Sequence, residues 1–122
     1  MPGPTKMQPI LDMTPAEVQA GLRSGRVFLV DVREPAEYAA ERIHGAFLYP
    51  LSTFDPKALP NDGDRLLVFH CGSGKRSQTA IGLCQQDGLD HHRHLAGGIM
   101  SWKVAGLPVI GIDPATGRPR EK

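Results

Sequence analysis

The sequence predicts an α/β domain, a largely parallel sheet with helices on both faces. Two short apolar runs rich in β-branched residues carry that prediction: Val27-Phe28-Leu29-Val30-Asp31-Val32 and Leu66-Leu67-Val68-Phe69. Each reads as a strand buried on both faces, and each is followed by helix-start chemistry. This alternation, within 122 residues and without an internal repeat, fits one domain that can bury a core without disulfides or metals.

Pro2, Gly3 and Pro4 make residues 1–8 an expected flexible N-terminus, before a domain spanning 9–112. Thr14-Pro15-Ala16-Glu17 is a helix start. Thr14 can cap it, Pro15 suits the first helical position, and Glu17 completes a capping box. That helix is expected to reach Arg23 and stop near Gly25. After the strand at 27–32, Glu34-Pro35-Ala36-Glu37-Tyr38 starts a second helix by the same proline logic. Gly45 to Pro50 reads as a short strand closed by its proline, and Asp55 to Leu59 as a helical turn or loop. Arg65 to His70 is the next strand, and Ser77 to Gln86 the next helix, ending near Gly88. Arg93-His94-Leu95 forms a brief strand, Gly97-Gly98 a turn, and Ile99 to Val104 a last helix stopped by Gly106-Leu107-Pro108. Pro114, Gly117 and Pro119 among charges give residues 113–122 the pattern of a flexible tail.

A net charge of +1 gives no case for nucleic-acid or membrane attraction. No apolar stretch reaches the ~20 residues of a membrane span, and the N-terminus lacks a basic-then-apolar signal pattern. The expected location is the cytoplasm. The two cysteines, Cys71 and Cys84, are separated by a helix of roughly two or more turns, too far for a bond, and both are expected to be reduced.

Ligands of parallel sheets sit outside the carboxyl ends of the strands, where Asp31 and Cys71 both fall. The segment Cys71-Gly72-Ser73-Gly74-Lys75-Arg76-Ser77 places a thiol at a strand end, inside a glycine-containing loop, just before a helix. An unperturbed thiol, with a pKa of ~8.5, is mostly protonated at neutral pH. Here the glycines let backbone N–H groups turn inward, the helix presents its positive end, and Lys75 and Arg76 add formal charge. Those donors would bind a tetrahedral oxyanion or the outer sulfur of a persulfide. A cysteine at a strand end can equally be a small buried apolar residue; the flanking glycines and cations argue against that for Cys71. Cys84, mid-helix beside Leu83 and Ile81, is read as core packing.

Further segments accompany this loop in order. They are Val30-Asp31-Val32-Arg33-Glu34-Pro35, Glu37-Tyr38, Ile43-His44-Gly45-Ala46, Leu95-Ala96-Gly97-Gly98, Ser101-Trp102 and Gly106-Leu107-Pro108-Val109. With them the chain, from about Met13 to Val109, resembles the rhodanese-like sulfurtransferases, in particular the single-domain thiosulfate sulfurtransferases. The resemblance implies a rhodanese-like three-layer domain around a central, mostly parallel five-stranded sheet. It also implies a mechanism without metal or organic cofactor. Cys71 would take the outer sulfur of thiosulfate or a similar anionic donor as a persulfide, and cyanide or a thiol would accept it. Backbone amides from Gly72 to Arg76 would cradle the persulfide, with Ser73, Gly74 and Ser77 in the same loop. Arg76, with Lys75, would hold the sulfonate end of the donor. Asp31 would be structural, tying loops near the site through Arg33 or backbone donors.

A second reading makes the domain a sulfur-relay module that hands persulfide sulfur to a specific protein, with little turnover on thiosulfate. Cysteine-dependent phosphatases and arsenate reductases resemble His-Cys-x5-Arg. His70 precedes Cys71 here, but Arg76 comes one residue too early for that loop. Arg42 stands where the family commonly has a histidine, either as added charge at the site mouth or as a solvated helix-end residue. His91, His92 and His94 look like a metal cluster at first sight. They are read instead as a surface loop entering an edge strand. Trp102, with Ile99 and Leu107, is read as the core anchor of the last helix.

Overall fold

The computed structural model describes residues 8–60 and 63–122. The first seven residues of the expected flexible N-terminus lie outside the described residues. Gln8 itself is tied down: its N–H donates to Gln85 Oε1 (2.8 Å) and its carbonyl accepts from Gln85 Nε2 (3.0 Å).

The elements run β1 (Leu11–Met13), α1 (Pro15–Ser24), β2 (Val27–Asp31), α2 (Pro35–Ala40), β3 (Glu41–Arg42) and β4 (Phe47–Leu48). After two 3₁₀ turns come β5 (Leu66–His70), α3 (Lys75–Gln86), β6 (Arg93–Leu95), α4 (Gly98–Val104), β7 (Ile110–Ile112) and β8 (Pro119–Glu121). The central sheet has five strands in the order β1-β6-β5-β2-β4, and every pairing in it is parallel.

Local chemistry sets these elements as the residues foretell. Thr14 Oγ1 accepts from the Glu17 amide (3.1 Å) while Glu17 Oε1 accepts from the Thr14 amide (3.0 Å), satisfying two of the helix's free donors. Gly25 closes α1 in the left-handed region (φ 76°), which only glycine enters without a steric cost. A Cβ on Gly21 would collide with the Val27 side chain, so this glycine lets α1 settle directly onto the start of β2.

The sheet divides the core in two. On one face Val18 of α1 and Ile99 and Trp102 of α4 pack with Val27, Leu29, Val68 and Leu95. On the other, Ala80, Ile81 and Cys84 of α3 pack with Val30, Val32, Leu67, Phe69 and Cys71. Neighbouring residues of β2 and β5 go to opposite sides, which is why both runs are apolar throughout. Register then fixes the site. Val30 pairs with Phe69 and Asp31 with His70, so both strands end level and Cys71 follows at the sheet's carboxyl edge.

Two expectations need correcting, and one sheet was not anticipated. Residues 113–122 do not form a loose tail. A turn held by Asp113, whose carbonyl accepts from the Gly117 amide at 2.7 Å, returns the chain as β8 antiparallel to β7. The Asp-Pro and Gly punctuation there is turn chemistry. With β3 these strands make a second, three-stranded sheet that the sequence pattern did not announce, since β3 has only two residues and no alternation. Finally, β6 is not an edge strand: β1 covers it, so the histidine segment leads into the interior of the sheet.

Candidate active site

Cys71 leaves β5 and enters a loop that ends earlier than expected. The helix starts at Lys75 rather than Ser77, with Gly74 as its cap in the left-handed region (φ 105°). Gly74 has no side chain to satisfy the first amides of α3, and the thiol takes that place. Gly74 N–H donates to Cys71 Sγ at 3.1 Å and Ser77 N–H at 3.4 Å. These are donors that a helix start leaves free, and they carry the positive end of the helix dipole.

The acidity of the thiol follows. Burial alone would raise its pKa, because Cys71 is only 1% exposed. The Ser77 and Gly74 amides, the Ser77 hydroxyl and the Ser73 amide outweigh burial and pull it below the ordinary cysteine value.

The loop is held from outside by the Gly97-Gly98 turn. The amides of Ile99 and Met100 at the start of α4 donate to the carbonyls of Cys71 (2.9 Å) and Gly72 (3.2 Å). Gly98 has φ 61°, and a Cβ there would collide with those two carbonyl oxygens. This pair of glycines, read from the sequence as a plain turn, is what lets α4 reach the cysteine loop.

Asp31 is fully buried beside the loop and has the expected partner. Its carboxylate accepts from the Arg33 amide (2.9 Å), Nε (3.1 Å) and Nη2 (2.9 Å). His70 Nε2 lies 3.3 Å from Asp31 Oδ2, close but off the line of a hydrogen bond. Burial pushes the Asp31 carboxyl up, yet His70 and Arg33 bring it down to about 2. Arg33 Nη2 continues to the Glu41 carbonyl at 2.7 Å, linking the end of β2 to β3.

Lys75 is exposed, while Arg76 does not stand free over the loop. Its guanidinium grips Glu37 of α2 with two hydrogen bonds, of 2.7 and 3.0 Å. That grip, set against some burial, holds the Glu37 carboxyl at about 2. Glu37 also accepts from the Glu34 amide (3.0 Å), so it closes the first turn of α2 as well. Arg42 sits over the Tyr38 ring, 5.2 Å from its centroid.

The three histidines diverge. His91 meets the Phe69 ring edge-on, His92 Nδ1 lies 3.3 Å from Asp90, and His94 turns inward and is buried. His94 Nδ1 is 2.8 Å from Ser77 Oγ, and Nε2 is 2.7 Å from Asp12 Oδ1. Sequence reasoning missed His94 and Asp12 because the histidine run has the composition of a surface loop. A cavity of about 680 Å³ opens near Val27, Arg65 and Trp102, at the opposite end of the strands, and Cys71 does not line it.

The central sheet is parallel and five-stranded, and the cysteine loop at its carboxyl edge faces the amides of a helix start. Residues 14–105 match the rhodanese-like domain model, and the chain belongs to that family. An uncharacterised protein of Synechocystis sp. is 38% identical over 98 residues, 80% of this chain; the match spans 55% of that longer relative. A sulfurtransferase of Allochromatium vinosum is 37% identical over 87 residues, 71% of this chain and 81% of that protein. Among solved structures, a Rhodopseudomonas palustris protein of unknown function, described as a possible tyrosine phosphatase, is 31% identical. It has a TM-score of 0.70 and the match covers 82% of this chain and 84% of that one.

Proposed function

We propose that this protein is a sulfurtransferase. It moves sulfane sulfur from thiosulfate or a similar small anionic donor to a thiophilic acceptor, cyanide or a thiol, through a persulfide on Cys71. The convergence of the Gly74 and Ser77 amides on Sγ carries this reading, because the same donors that stabilise a thiolate can stabilise a persulfide's outer sulfur. The relative named a sulfurtransferase supports it.

The step balances without a cofactor. The Cys71 thiolate forms a bond to the donor's outer sulfur, the sulfur–sulfonate bond breaks, and sulfite leaves with the electron pair. An acceptor then attacks the outer sulfur and the thiolate leaves. In this reading Gly72, Ser73 and Gly74 shape the cradle, Ser77 contacts the sulfur, and Asp31 and Arg33 brace the strand end. Lys75 and Arg76 meet the donor's anionic end.

One observation favours the second reading, a relay module that passes sulfur to a protein partner. Arg76 is already engaged by Glu37, which reduces the positive charge open to a free anion. Phosphatase chemistry is disfavoured by the loop, whose four residues between Cys71 and Arg76 leave one amide fewer than a phosphate-wrapping loop needs.

Mass spectrometry of the intact protein after thiosulfate treatment tests the proposal. A gain of one sulfur on Cys71, reversed by reductant, is expected. No gain, with hydrolysis of an aryl phosphate, would replace this reading with the phosphatase. Turnover with cyanide then separates an efficient enzyme from a relay.

A further inference from the structure

We infer that Ser77, His94 and Asp12 form a proton relay that serves the Cys71 thiol, with His94 as the group that receives its proton. The inference rests on Cys71 being the nucleophile of the proposed function.

The hydrogen-bond inventory gives the direction. Asp12 presents a carboxylate, which only accepts, so the 2.7 Å contact requires a proton on His94 Nε2. In neutral His94, Nδ1 is therefore a lone pair. Its neighbour is Ser77 Oγ at 2.8 Å, which must donate. A hydroxyl has a single proton, so Ser77 cannot also donate to Sγ, and its oxygen is left to accept. The Cys71 thiol, 3.7 Å away, is placed to donate to it.

Protonating His94 reverses its link to Ser77 and leaves the one to Asp12 unchanged. Nδ1–H then donates to Ser77 Oγ, and the hydroxyl proton is released toward Sγ or the Gly74 carbonyl, 3.1 Å from Oγ. Charging His94 thus frees the Ser77 hydroxyl to donate to a thiolate, in addition to the Gly74 and Ser77 amides.

The transfer balances by itself. The S–H bond of Cys71 breaks and its proton passes to Ser77 Oγ, while the Ser77 proton passes to His94 Nδ1. The product is a thiolate and an imidazolium, with nothing oxidised or reduced. The imidazolium is paired with Asp12 through Nε2–H. When sulfur has left the persulfide and the thiolate is restored, the proton returns by the same path.

The site has the character of a built relay. Ser77 is fully buried and His94 is 3% exposed, so water does not compete at the two inner links. Asp12 is on the outer side, its side chain 72% exposed. The titratable groups facing His94 are Asp12 from β1 and, through Ser77, Cys71. β5 presents apolar Phe69 in register with His94, and the loop presents Gly74. His94 touches the reacting sulfur only through Ser77, so it is a positioning and proton-holding residue rather than one that meets substrate.

The test is the pH dependence of Cys71 alkylation by iodoacetamide, resolved by site with mass spectrometry, in the full chain. Wild type is expected to keep a reactive shoulder below the main thiol titration, from molecules whose proton sits on His94. H94N keeps a hydrogen-bonding group toward Ser77 but cannot take a proton. It should lose the shoulder and react roughly tenfold more slowly near pH 7, the equivalent of one pK unit. Asp12→Asn, at an exposed position that does not endanger folding, should shrink the shoulder and slow the reaction about threefold, as for loss of a partly exposed charge partner. A wild-type or faster profile in either folded variant overturns the relay. So does a drop by the same factor at every pH, which would mean that His94 merely props the loop. If H94N does not fold, Asp12→Asn decides alone. Persulfide formation from thiosulfate is measured separately. A His94-dependent profile without persulfide would sink the sulfur-transfer reading and leave the relay standing. Persulfide with an unaltered profile does the reverse.

Discussion

Cys71 and Cys84 share one hydrophobic cluster on the same face of the sheet, and both are buried, 1% and 0% exposed. Their acidities go in opposite directions. Burial, helped by the charge of Asp87, pushes the Cys84 thiol up to about 12. Cys71 meets the same penalty, yet its pKa falls below the ordinary value. Apolar surroundings therefore do not separate the two thiols. What separates them is position relative to α3. Cys84 lies mid-helix, where every backbone amide is already bonded within the helix. Cys71 lies before its first turn, where amides are free to point at sulfur. The same helix leaves one thiol hard to ionise and makes the other more acidic.

The most drastic way to test that contrast is to replace the reactive sulfur. Cys71→Ser should abolish sulfur transfer, because an alcohol cannot form the persulfide. Thiocyanate production from thiosulfate and cyanide reads it, and retained activity would defeat the mechanism. Next in size is Gly98→Ala. A Cβ in this left-handed position would strike the Cys71 and Gly72 carbonyls, so the loop must move and the amides lose their aim. Strain of this kind costs about 1–3 kcal/mol. We expect a ~10- to 100-fold fall in Cys71 alkylation rate, with Cys84 unaffected. A wild-type rate would show that the loop does not depend on α4.

Much of this contrast was legible in the residues. The runs at Val27 and Leu66 gave β2 and β5, and the order of strand, cysteine, glycine and helix gave the loop, because each depends on neighbours in sequence. The first turn of α3 came earlier than expected since Gly74 can act as a cap without a side-chain signal. What was not legible depends on contacts between distant residues. β1 and β3 are too short to carry a period, and they exist because β6 and β7 offer them partners. Arg76 reads as a cation for substrate, and only the packing of α2 against the loop reveals Glu37. His94 reads as part of a brief strand after a histidine loop, and nothing local places Asp12 and Ser77 on either side of it.

The Glu37 pair sharpens the comparison by separating amides from formal charges. The amides, not Lys75 or Arg76, are the main groups that lower the Cys71 pKa. Glu37→Gln keeps a group able to cap α2 but removes the charge that occupies Arg76. The thiol's alkylation profile should hardly change. The KM for thiosulfate should fall about two- to fivefold, the scale of an exposed ion pair, with kcat unaltered. An unchanged KM would remove Arg76 from donor binding and strengthen the relay-module reading.

The smallest effect concerns Cys84 and is seen in stability rather than rate. Its folded pKa of about 12 lies above the ordinary 9.0, so the folded state resists losing this proton. Well below pH 9.0 both states keep the proton and nothing is lost. Between 9.0 and 12 the unfolded chain ionises while the folded chain does not, and stability falls by up to about 1.4 kcal/mol per pH unit. Cys71 has the opposite sign. Its depressed folded pKa adds stability as pH rises toward the unfolded value, and that gain is complete once the unfolded thiol has ionised. Cys84→Ala removes the first contribution and leaves the second, so the difference between the two proteins isolates Cys84. Urea unfolding across this window should show wild type losing stability faster than the variant. Parallel curves would mean that Cys84 titrates normally and that burial does not control it. Sulfur transfer by Cys84→Ala should stay within about twofold of wild type, as expected for a substitution that leaves the loop intact. A large loss of rate in the folded variant would restore a two-thiol cycle and end the contrast between the cysteines.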